Sequence, residues 1–258
     1  MAGLVLLSTP FFILHGTTLY ADVPLGFFFL ATVVCLALDD RHGADTSRFA
    51  LLAGVAAGLA MWTKNEGLLF TLALGAGLLL AGAPGGRTAS RRRLLAFGAG
   101  LLPPALLVVG FKVGFSQPND LLSTLGVQRT LGNLTSPDRY YITLREYASH
   151  IALFGSNGVG SAVWVLAACL LGLGVNRSEL GRPWVRAVAA AFVLVMAGHY
   201  AVFVSMAHEL SRLLASSLDR LLLQLWPSTL FLFFMAVRAP GEAGSGRPSR
   251  EGRHGPSA

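Results

Sequence analysis

Apolar residues in this chain gather into long blocks at about 3–19, 24–38, 49–63, 67–83, 94–115, 150–174, 187–206 and 221–237, separated by short clusters of Gly, Pro, Arg and Asp. A helix that crosses a bilayer needs about 17–25 mostly apolar residues, and the blocks have roughly that length. The pattern predicts an all-α fold: a polytopic membrane helical bundle of about eight transmembrane helices within residues 1–238. The second and third blocks are short, so they borrow flanking residues or tilt little. Met1-Ala2-Gly3 carries no positive charge, and no small-residue cleavage site follows Pro10-Phe11-Phe12. The first block therefore reads as a mature helix, not a signal peptide.

Between the fifth and sixth blocks, Leu121, Leu122, Leu125, Val127 and Leu131 recur at intervals near three and four with Arg129 opposite. That spacing predicts an amphipathic helix within 116–149, either lying on the outer leaflet as a roof or simply connecting helices across the bundle ends. Residues 239–258 are rich in Gly, Pro, Ser and Arg with few apolar residues, so they read as a disordered cytoplasmic tail. No internal repeat is visible, which weighs against transporter folds built on inverted repeats.

Composition sharpens the membrane reading. The 258 residues are 53% hydrophobic and 13% charged, against about 45–50% and about 25% in soluble proteins. The formal charge of +7 is mostly topology, because translocation disfavours Lys and Arg. Thirteen basic residues fall on one set of loops: Arg41, Arg48, Arg87, Arg91, Arg92, Arg93, Arg177, Arg182, Arg186, Arg238, Arg247, Arg250 and Arg253. Seven fall on the other: Lys64, Lys112, Arg129, Arg139, Arg145, Arg212 and Arg220. The asymmetry predicts an integral inner or plasma membrane protein with both termini in the cytoplasm and Asp22 on the outer face. Basic residues at helix ends, without an aromatic-interleaved patch, argue against nucleic acid as a partner and leave membrane lipids. Cys35 and Cys169 sit inside apolar blocks as small hydrophobes.

Polar residues within or beside a bilayer are expensive, so they point to function. They form three groups on the predicted outer side: His15, Tyr20 and Asp22; the turn Trp62-Thr63-Lys64-Asn65-Glu66-Gly67; and His208-Glu209, Arg212, Ser216-Ser217, Asp219-Arg220 and Gln224. Each also has a purely structural reading. Asp22, just ahead of Pro24, fits a helix cap. Lys64 and Glu66 fit solvated turn residues, with Lys64 snorkelling. Arg212 and Arg220, eight apart, fit an interfacial pair on lipid headgroups. His199 reads as a buried, hydrogen-bonded histidine; His208, four residues before Arg212, is the better candidate for chemistry. No strong metal-ligand spacing, phosphate loop or nucleophile elbow is present.

Leu19-Tyr20-Ala21-Asp22-Val23-Pro24-Leu25, an apolar helix, an Arg-bearing loop and a helix ending Gly58-Leu59-Ala60-Met61-Trp62-Thr63-Lys64 resemble the GT-C membrane glycosyltransferases. These are polyprenyl-phosphate-sugar-dependent enzymes such as protein O-mannosyltransferases and aminoarabinose transferases. The resemblance covers residues 3–83 best; beyond them it rests on hydropathy and on the segment from Ser217 to Pro227. It implies a cavity on the outer face where a lipid-phosphate-linked sugar donor meets an acceptor. Asp22 then lies at the catalytic cavity with Lys64 near it, and Arg212 and Arg220 correspond by role to groups on the donor phosphate. The family's principal carboxylate precedes the helix ahead of the Tyr-Ala-Asp motif, in a first outer loop that this chain does not contain. The resemblance therefore predicts a truncated, incomplete or degenerate copy.

Asp22, Lys64 and Glu66 are thus the candidate catalytic residues, and Tyr20, His208, Arg212 and Arg220 the candidate substrate-binding ones. In an inverting transfer a carboxylate takes the acceptor's proton while cations meet the charge developing on the phosphate. The sequence identifies no cofactor, and Asp22 could position either the acceptor or a divalent metal ion. Two other classes stay open: a carrier of lipid-linked sugar or small solutes with the same polar vestibule, and a non-catalytic membrane partner that keeps the fold.

Overall fold

The computed structural model describes residues 2–18, 20–42, 47–81, 86–115, 127–154, 161–206 and 210–238. These are almost entirely helical: α1 (Ala2–Leu7), α2 (Pro10–Gly16), α3 (Asp22–His42), α4 (Arg48–Thr63), α5 (Asn65–Ala81), α6 (Gly86–Gly114), α7 (Val127–Leu134), α8 (Pro137–Leu153), α9 (Ala162–Leu173), α10 (Arg177–Leu180), α11 (Pro183–Ser205) and α12 (Leu210–Ala236). Among the described residues the β geometry is one isolated bridge between Val175 and Val237. Three helices are long and apolar enough to cross a membrane, over Asp22–His42, Thr88–Gly114 and Pro183–Ser205, and α4, α5 and α9 are shorter apolar helices.

The helix boundaries depart from the apolar blocks in three places. The first block is broken at Ser8-Thr9-Pro10, where the Ser8 and Thr9 hydroxyls donate back to the Val5 carbonyl at 2.9 and 2.8 Å and Pro10 opens a new helix without needing an N–H partner. The sixth block is divided between the end of α8 and α9. The last block belongs to a helix that begins at Leu210, because the polar residues before Leu221 continue one helical face: Leu214, Leu218, Leu221 and Leu225 are all buried. Apolar content marks lipid contact and helix periodicity marks packing, and here the two part company. The predicted tail, 239–258, and the first half of the 116–149 segment lie outside the described residues; the second half forms α7 and most of α8.

The core is built on α3, whose Leu25, Phe29, Val33 and Leu36 form a helical stripe buried against α4, α5 and α11. Phe29 stacks on Phe70 of α5 at 4.0 Å between ring centroids. Between apolar helices in lipid there is little hydrophobic driving force, and close backbone approach through small residues supplies the attraction instead. α4 and α6 form the most extensive helix pair on this principle. A Cβ at Gly54 would meet the Phe97 carbonyl, one at Gly58 the Pro104 ring, and one at Gly100 the Leu51 carbonyl. Gly26 does the same for α3 and α12, lying against the backbone of Gln224.

Ionic clusters stand at both ends of α3. At its C-terminal end, Asp39 accepts from Arg93 of α6 and from the Ala50 amide, the latter at 3.2 Å. Asp40 pairs with Arg93 at 3.5 Å and with Arg182 at 2.8 Å. The climb from Asp22 to Asp39 is about 25 Å at 1.5 Å per residue, close to the roughly 30 Å hydrocarbon thickness of a bilayer. Beyond the Asp22 end, Arg139 of α8 binds the terminal carbonyls of α11, with Nε 2.9 Å from Val204 and a terminal guanidinium nitrogen 2.5 Å from Met206. The last carbonyls of a helix have no internal donors, so this arginine fixes α8 to α11. Asn133 donates to Ser205 and Met206 carbonyls at 3.2 and 2.9 Å, so its amide holds the end of α7 against the end of α11. Nearby, burial and the adjacent Tyr200 push the Tyr147 phenol above the usual tyrosine range.

Candidate functional site

Asp22 opens α3 with no exposed surface. Its carboxylate does not cap the helix; it binds three side chains from other elements. Lys64 Nζ lies 2.9 Å from Oδ1, Gln224 Nε2 lies 2.6 Å from Oδ1, and Arg220 Nε lies 2.8 Å from Oδ2. The two cations that neutralise it are only partly buried, with side chains 27% and 30% exposed. Such a charge is held by its partners, since an isolated buried carboxylate would be strongly disfavoured.

Local sequence explains how three helices converge here. α4 ends where Lys64 turns extended (φ −163°, ψ 157°), and α5 restarts at once, its Gly67 amide donating to the Lys64 carbonyl at 3.0 Å. A Cβ at Gly67 would strike the Ala60 carbonyl, so glycine permits the tight break that aims Lys64 at Asp22. On α12, Arg220 and Gln224 are four residues apart and share a face, and Gly26 lets that face come close to the start of α3. Tyr20 completes the wall: its ring lies 4.3 Å beneath the Arg220 guanidinium, a cation–π contact, and stacks on His15 at 5.8 Å.

Lys64 has a second carboxylate, Glu66 Oε1, at 2.8 Å, and Glu66 is 22% exposed. Two cations and two carboxylates thus form one cluster with unequal members: Asp22 is sealed, Glu66 is reachable. The cluster borders a cavity of about 620 Å³ whose walls include Lys64, Glu66, His199, Ser217, Arg220 and Gln224. The apolar remainder comes from Leu69, Val202, Phe203, Met206, Leu213 and Leu221. The volume suits a small-molecule site with a few convergent polar groups.

Of the residues singled out from the sequence, Tyr20, Asp22, Lys64, Glu66 and Arg220 come together here. His208 lies outside the described residues; Arg212 lies on α12, and its side chain is outside them too. A divalent ion does not fit at Asp22, because both oxygens already face cations. Among the described residues no three His, Cys, Asp or Glu side chains converge as a metal site. Two further members were read in the sequence without being assigned to the site: Gln224 within the third polar group and His199 as a buried, hydrogen-bonded histidine. Gln224 was visible as a polar residue four positions after Arg220, and that spacing signals a shared face. His199 donates from Nδ1 to the Val195 carbonyl at 2.9 Å and also lines the cavity, which one residue in an apolar block gives no means of foreseeing. No family model, curated protein or solved structure matches this chain.

Proposed function

We propose that this chain is a GT-C-like membrane glycosyltransferase, moving a sugar from a lipid-phosphate donor to an acceptor at the outer membrane face. The observation that carries the reading is a sealed carboxylate holding two part-exposed cations at the wall of a cavity that also contains a reachable carboxylate. In this reading Asp22 fixes Lys64 and Arg220 in place, and Tyr20 supports the guanidinium from below. The two cations receive the donor phosphate. Glu66 takes the proton of the acceptor hydroxyl as its oxygen bonds to the anomeric carbon and the bond from that carbon to the phosphate oxygen breaks.

Charge moves consistently in this step. Protonation of Glu66 removes one of the two negative partners of Lys64 as the departing phosphate gains negative charge, so the same ammonium passes from one anion to the other. Preorganised cations of this kind stabilise charge where it develops without reorganising.

The test uses the full chain in lipid nanodiscs with a panel of polyprenyl-phosphate sugars, following release of polyprenyl phosphate and glycosylation of added acceptors. Transfer that falls about 10²–10⁴-fold in Glu66→Gln, the range for losing a general base, is the expected result. Absence of transfer with every donor, together with movement of the lipid-linked sugar across proteoliposomes, overturns the enzyme reading in favour of a carrier.

A further inference from the structure

We propose that a second cavity, on the other side of α12, binds a single-chain membrane amphiphile whose head group carries an O–H or N–H donor read by His150. The groove has a volume of about 890 Å³ and runs between the α1–α2 hairpin, α8 and α12. Its length is apolar, with Leu7, Phe11, Leu14 and Phe154 among its walls. Leu7, Leu14 and Leu153 are each about two-thirds exposed, so in a bilayer this side opens to hydrocarbon.

At its polar end His150 Nδ1 lies 2.8 Å from Asp219 Oδ1. A neutral imidazole donating from Nδ1 keeps Nε2 as an acceptor, the arrangement by which an aspartate orients a histidine in catalytic dyads. Glu146 Oε2 stands 3.9 Å from Nε2, too far for a hydrogen bond and near enough to add negative charge. The polar end of the groove is therefore the His150–Asp219 pair with Ser149, and Glu146 adds its charge from outside the lining. That charge pattern repels a phosphate or carboxylate head and favours a hydroxyl or an amine, the reverse of the Lys64–Arg220 cavity. Asp219 and Arg220 are consecutive, so their side chains leave α12 about 100° apart, and α12 partitions two sites of opposite preference. The inference does not depend on glycosyl transfer at the Asp22 cavity.

The probe is a dodecanol carrying a diazirine in its chain, irradiated with the full protein in nanodiscs and mapped by peptide mass spectrometry. Labelling concentrated in residues 7–17 and 149–154 is expected, competed by dodecanol and dodecylamine at least ten-fold better than by dodecyl phosphate. His150→Leu is expected to erase that preference, and Leu14→Trp to fill the groove and remove the label. Labels spread evenly over apolar surface such as residues 102–109 of α6, equal competition by dodecyl phosphate, or an unchanged preference in His150→Leu each overturn the proposal.

Discussion

At the scale of single residues, the two carboxylates on Lys64 differ in burial and so in what their loss does. Removing Asp22 leaves Lys64 and Arg220 facing each other across a buried gap, and breaking a buried pair costs about 3–5 kcal/mol. Both cations reach solvent, so Asp22→Ala is expected at the low end of that range, measured as denaturant- or heat-induced unfolding in one fixed detergent. Glu66→Gln removes a part-exposed partner and is expected to cost less than about 1 kcal/mol while transfer falls by about 10²–10⁴-fold. If the two variants lose equal stability, Asp22 is not the structural anchor. That Asp22 and Lys64 share one end of the bundle was legible from the polar motifs on one predicted face; that they pair directly was not. Glu66 on Lys64 was not derivable in geometry, since it depends on an extended residue between two helices that brings positions two apart together. Asp39 and Asp40 stand beside Arg41 in sequence, but their partners Arg93 and Arg182 come from α6 and the start of α11, a distance in sequence that no local pattern reveals.

At the scale of helices, periodicity and lipid-facing hydrophobicity gave different boundaries, and packing decided between them. α4 was legible as a helix; that its Gly54 and Gly58 form a docking face for α6 was not, because glycine in an apolar block reads equally as lipid-exposed. The two kinds of glycine make opposite predictions. Gly54→Leu forces α6 off α4 and is expected to destabilise by about 1–3 kcal/mol or more, the range for overpacking. Gly98 has open space where a Cβ would stand, so Gly98→Ala is expected to be neutral or to stabilise by about 0.5–1 kcal/mol through helix propensity. Thermal unfolding of the two variants beside the parent checks both, and destabilisation by Gly98→Ala would show that α6 packs elsewhere. α8 meets α11 differently, through a guanidinium on the last carbonyls of α11 and the Tyr200 hydroxyl on the Tyr140 carbonyl. Because Phe203 and Met206 also line the cavity, Arg139→Ala is expected to raise hydrogen exchange in both α8 and the last turn of α11, with the far end of α11 around Trp184 unchanged.

At the scale of the whole molecule, charge and geometry define the same two levels independently. The Asp22 cluster contains Lys64 from the end of α4 and Arg220 from α12; the Asp39–Asp40 cluster contains Arg93 from α6 and Arg182 ahead of α11. These are the two loop sets that the excess of basic residues separates, and α3 holds them about 25 Å apart. A slab of that thickness between two charged layers is compatible with a hydrocarbon core, and the topology we propose puts the richer basic layer on the cytoplasmic side. In that proposed topology a position beside Asp22 and one beside the Asp39 end face opposite sides of the membrane. In a background of Cys35→Ala and Cys169→Ala, Tyr20→Cys is expected to react with a membrane-impermeant maleimide added outside intact cells, and Arg238→Cys only after the membrane is permeabilised. Reaction of both from outside would place the two clusters in one aqueous compartment, and the short helix α5 would then have to pack in water, where exposed apolar residues such as Leu72, Leu79 and Leu80 would need a protein cover instead.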